Sequence, residues 1–88
     1  MDAFQSLSVA TTGVTVTPSS ACTRFGIGCQ ATSAANVLVN IPGLHCGGEW
    51  FPVYKGGYQE FICLKSITKV NLKGDGGTAT VDGGVTQR

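Results

Sequence analysis

Glycine and proline residues divide this chain into short segments that are rich in β-branched residues. The breaks lie at residues 18, 42–43, 47–48, 56–57 and 74–77. Their spacing predicts about seven short strands at intervals of about 8–12 residues, which is typical of an all-β sandwich or barrel. No window of about eleven residues places apolar side chains at helical spacing. We therefore predict an all-β fold, a single small antiparallel β-sandwich, for the 88 residues.

The strongest strand signal is the apolar segment 37–41, Val-Leu-Val-Asn-Ile. Alternation along a strand puts its odd-numbered residues on one face and its even-numbered residues on the other. The glycine pair at 56–57 predicts a hairpin or a sharp bend, and residues 74–77 predict a hairpin turn. Further strands are expected over residues 13–17, 24–28, 49–53, 58–63, 67–72 and 78–81.

The first twelve residues precede the first of these predicted strands. They contain few turn-forming residues and carry spaced apolar side chains at Phe4, Leu7 and Val9. Apolar groups in a terminal segment outside the core are expected to meet a partner. We therefore expect residues 1–12 to form an N-terminal arm and residues 13–88 to form the sandwich domain.

The charge content argues against several classes of partner. Charged residues make up 12% of the chain and the net charge is +1, whereas a typical domain is about 25% charged. We expect no nucleic acid partner and no membrane partner, because the chain lacks a basic patch and an apolar run of about 20 residues. A leader peptide is not expected either. So little charge fits either a compact domain with a thin polar coat or a surface that partner subunits cover, and the two overlap because small domains often gain stability by oligomerising.

The cysteine and histidine residues do not predict a metal site or an enzyme. Cys22, Cys29, Cys46 and Cys63 are not spaced in the close pairs that zinc sites use. Three full disulfide pairings remain open, and buried free thiols are the favoured interpretation. His45 is the only histidine, and no orienting group or oxyanion hole is evident for a nucleophile beside it. We expect no catalytic residue and no cofactor.

Aromatic residues are concentrated in one part of the chain, at Trp50, Phe51, Tyr54 and Tyr58. Trp50 and Phe51 are consecutive on a predicted strand, so one of them is expected to point outward. An outward aromatic side chain is either a subunit contact or part of a sugar-binding platform.

The order of the segments resembles the small β-sandwich domains of tailed-bacteriophage virions, which occur as capsid decoration (cement) proteins and as head-fibre bases. The resemblance covers residues 13–82. It rests on the segments Arg-Phe-Gly-Ile at 24–27, Ser-Ala-Ala-Asn-Val-Leu-Val at 33–39, Gly-Gly-Glu-Trp-Phe-Pro-Val at 47–53, Gly-Gly-Tyr-Gln-Glu-Phe at 56–61 and Leu-Lys-Ser-Ile at 64–67. The four cysteines depart from that pattern.

The resemblance implies a non-enzymatic virion structural protein that binds and stabilises the major capsid protein lattice. Its partners would be that protein and copies of itself, as a dimer or trimer, on the outer capsid surface after synthesis in the host cytoplasm. The candidate contact residues are Phe4, Leu7, Val9, Trp50 and Phe51. Two alternatives remain: a carbohydrate-binding module that uses Trp50 or Tyr58, and a minor head–tail or tail component.

Overall fold

A computed structural model describes residues 1–88 and contains eight strands and no helix. The strands are β1 (Ala3–Val9), β2 (Val14–Val16), β3 (Cys22–Cys29), β4 (Val37–Asn40), β5 (Phe51–Val53), β6 (Tyr58–Ile67), β7 (Val70–Gly74) and β8 (Ala79–Gln87). They form two four-stranded antiparallel sheets, which we call the β1 sheet (order β1-β8-β3-β6) and the β2 sheet (order β2-β7-β4-β5). The predicted all-β antiparallel sandwich is confirmed, with eight strands instead of about seven.

The chain crosses from one sheet to the other at six of its seven connections, and only β4 and β5 follow each other within one sheet. This interleaved order of eight strands is that of a jelly roll. The bend predicted as one option at residues 56–57 is confirmed, because the chain changes sheets there. The hairpin predicted at residues 74–77 is wrong, since β7 and β8 belong to different sheets.

A core of 17 buried residues fills the space between the sheets. In β4 and just beyond it, Val37, Val39 and Ile41 are fully buried, as the alternation predicts. Leu38 lies half-buried on the outer face of the sheet. Each buried Val, Ile, Leu or Phe side chain contributes roughly 1.5–3 kcal/mol relative to an exposed one, so this apolar layer is the main source of stability.

The N-terminal segment is part of the sandwich, so the prediction of a separate arm over residues 1–12 is wrong. β1 pairs with β8 along its length, Val9 is fully buried, and Phe4 and Leu7 pack against the core. A β-bulge between Phe4 and Leu7 shifts the register, and Ser6 within it has a φ of 54°. The bulge lets all three apolar side chains face inward although their spacing does not follow strand alternation.

Two carboxylates fasten β1 to the rest of the molecule. The Asp82 carboxylate accepts hydrogen bonds from the Ser6 backbone N–H at 2.8 Å and from the Gln30 side chain at 2.9 Å. These bonds lower the pKa of Asp82. Just before β1, Asp2 accepts hydrogen bonds from the backbone and hydroxyl of Ser19, which lower its pKa in the same way. Both side chains therefore stabilise the β1 region as anions.

Candidate binding surfaces

The outer face of the β1 sheet is flat because glycines occupy outward positions on neighbouring strands. Gly26 and Gly28 of β3 point outward, and Gly26 pairs directly with Gly84 of β8. The glycines point outward because side chains alternate along β3: Phe25, just before Gly26, and Ile27, between the two glycines, are both fully buried in the core. With no side chains at these positions, the backbone itself forms the floor of the surface, and a side chain from a neighbouring strand can lie directly on it.

Tyr58 of β6 lies across this floor. It pairs with Gly28, and a Cβ atom added at Gly28 would lie 3.4 Å from the Tyr58 ring. A Cβ atom added at Gly26 would lie 1.9 Å from the Tyr58 hydroxyl oxygen. The ring therefore covers the β3 backbone from residue 28 to residue 26 while the side chain remains 63% exposed. This is the arrangement in which an aromatic side chain shields glycine in a neighbouring strand.

Two aliphatic side chains continue the same surface along β6. Ile62 is 51% exposed, and Leu64 is fully exposed. Ile62 points outward because Phe61 and Cys63 on either side of it are buried. Leu64 projects from an irregular stretch, where three residue steps are added to β6 relative to β3 between the pairs Cys22–Ile67 and Arg24–Ile62. We call the exposed side chains of Tyr58, Ile62 and Leu64 the β6 surface.

The β6 surface lies at the edge of the molecule, and an ion pair lies beside it. β6 is an edge strand of the β1 sheet, so it has hydrogen-bonding groups that no neighbouring strand pairs. Beside it, the Arg24 guanidinium lies 3.6 Å from the Glu60 carboxylate, which also accepts a hydrogen bond from the Thr86 hydroxyl at 2.7 Å. An exposed ion pair of this kind contributes only about 0–1 kcal/mol to stability. In this pair the positive charge of Arg24 and the negative charge of Glu60 cancel each other.

The outer face of the β2 sheet carries a second surface, which is built around Trp50. The Lys73 ammonium nitrogen lies 4.2 Å from the centre of the Trp50 ring. A shallow cavity of about 310 Å³ lies between the indole and β2, and Thr15, Gly13 and Asn71 help to line it. We call it the Trp50 cavity. Trp50 thus points outward, as one of the two consecutive aromatic residues was predicted to do.

Phe51 points the other way, into an aromatic cluster at the open side of the sandwich between β5 and β6, where 39% of the residue remains exposed. Its ring centre lies 5.4 Å from that of Phe61 and 6.2 Å from that of His45. The His45 Nδ1 atom accepts a hydrogen bond from the backbone N–H of Ile41 at 2.9 Å. His45 is therefore satisfied within the fold and fastens the loop between β4 and β5 over the core.

The five predicted contact residues do not form one surface. Phe4 and Leu7 lie in β1 against the core, Trp50 lies on the outer face of the β2 sheet, and Phe51 lies in the aromatic cluster. Val9 has no exposed surface, so the prediction that it contacts a partner is wrong for the folded protein. The burial of Val9 follows from the β-bulge that turns it toward the core.

Sequence reasoning missed Ile62 and Leu64. A signal for them exists in the continuous apolar run Phe61-Ile62-Cys63-Leu64, because strand alternation allows only every second residue of such a run to face the core. When a strand of a sandwich carries apolar side chains on both of its faces, the side chains on one face must point away from the core. That set is the pair Ile62 and Leu64.

The four cysteines have free thiols. Cys22, Cys29 and Cys63 are buried, which confirms the predicted burial for three of them, whereas Cys46 is exposed in the loop between β4 and β5. Burial raises the pKa of the Cys22 thiol. No group of three or more His, Cys, Asp or Glu side chains is placed to hold a metal ion. The structure contains no helix that could span a membrane.

Comparisons of the chain with protein-family models, with curated proteins and with solved structures find no match. What the β6 surface and the Trp50 cavity bind is therefore inferred from their own chemistry.

Proposed function

We propose that this protein is a non-enzymatic structural component of a virion, a decoration protein that binds the major capsid protein lattice through its β6 surface. The observation that carries this proposal is the exposure of Ile62 and Leu64 beside Tyr58 on an edge strand. The jelly-roll architecture is compatible with it, since viral capsid domains and lectins both use this fold. A fold alone does not determine a function, so the surface is the stronger argument.

The β6 surface has the composition of an interface centre. Burying one Leu or Ile side chain is worth roughly 1.5–3 kcal/mol, and aromatic side chains such as Tyr58 are enriched among the residues that dominate binding energy. Leu64 gains most from a partner because it is fully exposed in the isolated chain. The three exposed side chains extend along β6 from residue 58 to residue 64, and such a row suits a protein partner better than one small ligand, since small ligands are bound in compact concave sites.

The low charge of the chain suits a position in a dense lattice. Charged residues make up only 12% of the sequence, and Arg24 and Glu60 beside the β6 surface compensate each other. Neighbouring copies, as dimers or trimers on the outer capsid surface, can then pack closely with little repulsion. Each bound copy stabilises the lattice by mass action, by about 2.7 kcal/mol per site at 100 times its dissociation constant.

Quantitative mass spectrometry of purified particles tests this proposal. The particles are those of the phage that encodes the chain. We propose that the protein is made in the cytoplasm of the host of that phage. We expect the protein in a fixed ratio to the major capsid protein, with many copies per particle. A handful of copies per particle would instead support the minor head–tail or tail component, and absence from purified particles would contradict the proposal.

A further inference from the structure

We propose that the Trp50 cavity binds a neutral saccharide, with one pyranose ring packed against the indole of Trp50. The cavity lies on the outer face of the β2 sheet, whereas the β6 surface belongs to the β1 sheet. Both surfaces can therefore be occupied at once, and saccharide binding goes beyond the proposed function without depending on it.

The size and the walls of the cavity fit a single sugar ring. Its volume of about 310 Å³ is at the lower end of the roughly 300–1,000 Å³ typical of small-molecule sites. The indole of Trp50 supplies a flat apolar wall, against which the C–H groups of one sugar face can pack. None of the residues that line the cavity is charged. The one charge beside it, the Lys73 ammonium, is already engaged with the Trp50 ring, so the walls offer the apolar contacts and neutral hydrogen-bonding groups that a neutral saccharide uses.

Polar groups with unused hydrogen-bonding capacity lie beside the indole. The Thr15 hydroxyl donates to the Asn71 Oδ1 atom at 2.9 Å, and the Asn71 Nδ2 atom donates to the Asn40 Oδ1 atom at 3.3 Å. An amide side chain offers two donors and two acceptor positions, and a hydroxyl offers one donor and two acceptor positions. Asn71 therefore keeps one donor and one acceptor position, and Thr15 keeps two acceptor positions, for the hydroxyl groups of a sugar.

The same network holds the aromatic wall and the polar groups together. The Asn40 Nδ2 atom donates to the backbone carbonyl oxygens of Cys46 at 3.0 Å and Glu49 at 2.7 Å, which fixes the loop that ends at Trp50. Lys73 contacts the indole by a cation–π interaction. Such an interaction is worth about 0.5–1 kcal/mol at exposed sites and restrains the ring. A site that is restrained before binding loses less entropy when its ligand arrives.

Intrinsic fluorescence tests the proposal directly because Trp50 is the only tryptophan. The full-length protein is titrated with glucose, galactose, mannose and N-acetylglucosamine, and with oligosaccharides of each. We expect a saturable change in Trp50 emission with at least one of these probes. If none of them changes the emission or shows heat of binding in calorimetry up to about 10 mM, a concentration at which even weak binding is visible, the proposal is wrong.

Two variants separate the cavity from the rest of the surface. Thr15→Val keeps a β-branched residue in β2 but removes the hydroxyl, and we expect it to weaken saccharide binding about tenfold. Tyr54→Ala, at an exposed side chain outside the Trp50 cavity, should bind like the parent protein. Equal affinity of Thr15→Val and the parent would overturn the assignment. Thr15→Val leaves the β6 surface unchanged, so its attachment to capsids should not change, and failure of this inference is distinguishable from failure of the proposed function.

Discussion

The hydroxyl group of Tyr58 occupies the space that a side chain at Gly26 would need, since a Cβ atom added there would lie 1.9 Å from the Tyr58 hydroxyl oxygen. The two residues lie on adjacent strands, β6 and β3. Glycine at position 26 therefore allows the tyrosine ring to lie flat on the sheet. The shape of the outer face of the β1 sheet depends on this relationship.

Gly26→Ala should displace the Tyr58 ring and leave the fold intact. The overlap involves the outer end of an exposed side chain, which can swing away, so we expect the free energy of unfolding to change by less than about 1 kcal/mol. The NMR signals of the Tyr58 ring should shift strongly. Gly28→Ala is the matched control, because its Cβ atom would make an ordinary contact of 3.4 Å with the ring. Unchanged Tyr58 signals in Gly26→Ala would show that the ring does not cover this position.

Val9→Ala should lower the free energy of unfolding by about 2 kcal/mol, because Val9 is fully buried. Deletion of residues 2–9 should abolish cooperative folding, since it removes an entire strand of the β1 sheet. Urea unfolding followed by Trp50 fluorescence measures both effects. Ser8→Ala, at an exposed position of β1, is the control and should change stability little. A deletion variant that unfolds cooperatively at the parent midpoint would show that β1 is dispensable.

Some of this fold can be predicted from the sequence, and the failures have physical causes. The alternation of residues 37–41 predicts which side chains of β4 enter the core, because no bulge interrupts that strand. β1 escapes prediction because the bulge at Ser6 breaks the alternation of its apolar residues. The jelly-roll path escapes it because a glycine-rich turn has the same composition whether it joins strands within one sheet or across two.

The candidate surfaces are only partly predictable from the sequence. Alternation along the predicted strand 49–53 requires that Trp50 or Phe51 points outward, and Trp50, which directly precedes β5, lies on the outer face. The polar partners of Trp50 at Thr15 and Asn71 come from β2 and β7, so sheet topology alone brings them together. The alternation of the run 61–64 already places Leu64 outward with Ile62, whereas the register shift beyond it, where residues 65 and 66 are both exposed, leaves no mark in the apolar pattern.

Acidification should release β1 before the rest of the sandwich. Asp82 has a lowered pKa in the folded protein because the Ser6 N–H and the Gln30 side chain stabilise its anionic form. Asp82 therefore contributes fully to the stability of the fold at pH values above about 3.9, its pKa in the unfolded chain. That contribution is lost as the pH falls through the lower pKa that Asp82 has in the folded protein. Asp2 contributes with the same sign.

Amide hydrogen exchange is measured at pH 7 and at a pH below about 4, and the rates are corrected for the intrinsic exchange rate at each pH. The amides of β1 should lose protection at the lower pH before those of the other strands. Asp82→Asn should weaken the protection of β1 already at neutral pH and reduce its dependence on acid. Uniform loss of protection in all strands, or an Asp82→Asn variant with the acid response of the parent protein, would contradict this account of β1.

One thiol should react much faster than the other three. Cys46 is exposed, whereas Cys22, Cys29 and Cys63 are buried, and burial raises the pKa of Cys22 and so suppresses its reactive thiolate. Iodoacetamide treatment of the native, reduced protein followed by intact-mass measurement should show a single fast addition. Cys46→Ser should remove it. Two or more additions at equal rates would mean that a second thiol is accessible.

The most direct test of capsid attachment through the β6 surface is co-sedimentation with undecorated capsids of the same phage. Leu64→Glu replaces a fully exposed side chain, so it should not change stability, but it should weaken co-sedimentation at least tenfold because a charge would be buried in the interface. Leu44→Glu makes the same change at an exposed leucine in the loop between β4 and β5 and should bind like the parent protein. The account is contradicted if the parent protein does not sediment with capsids at any stage of assembly, or if Leu64→Glu binds them as tightly as the parent does.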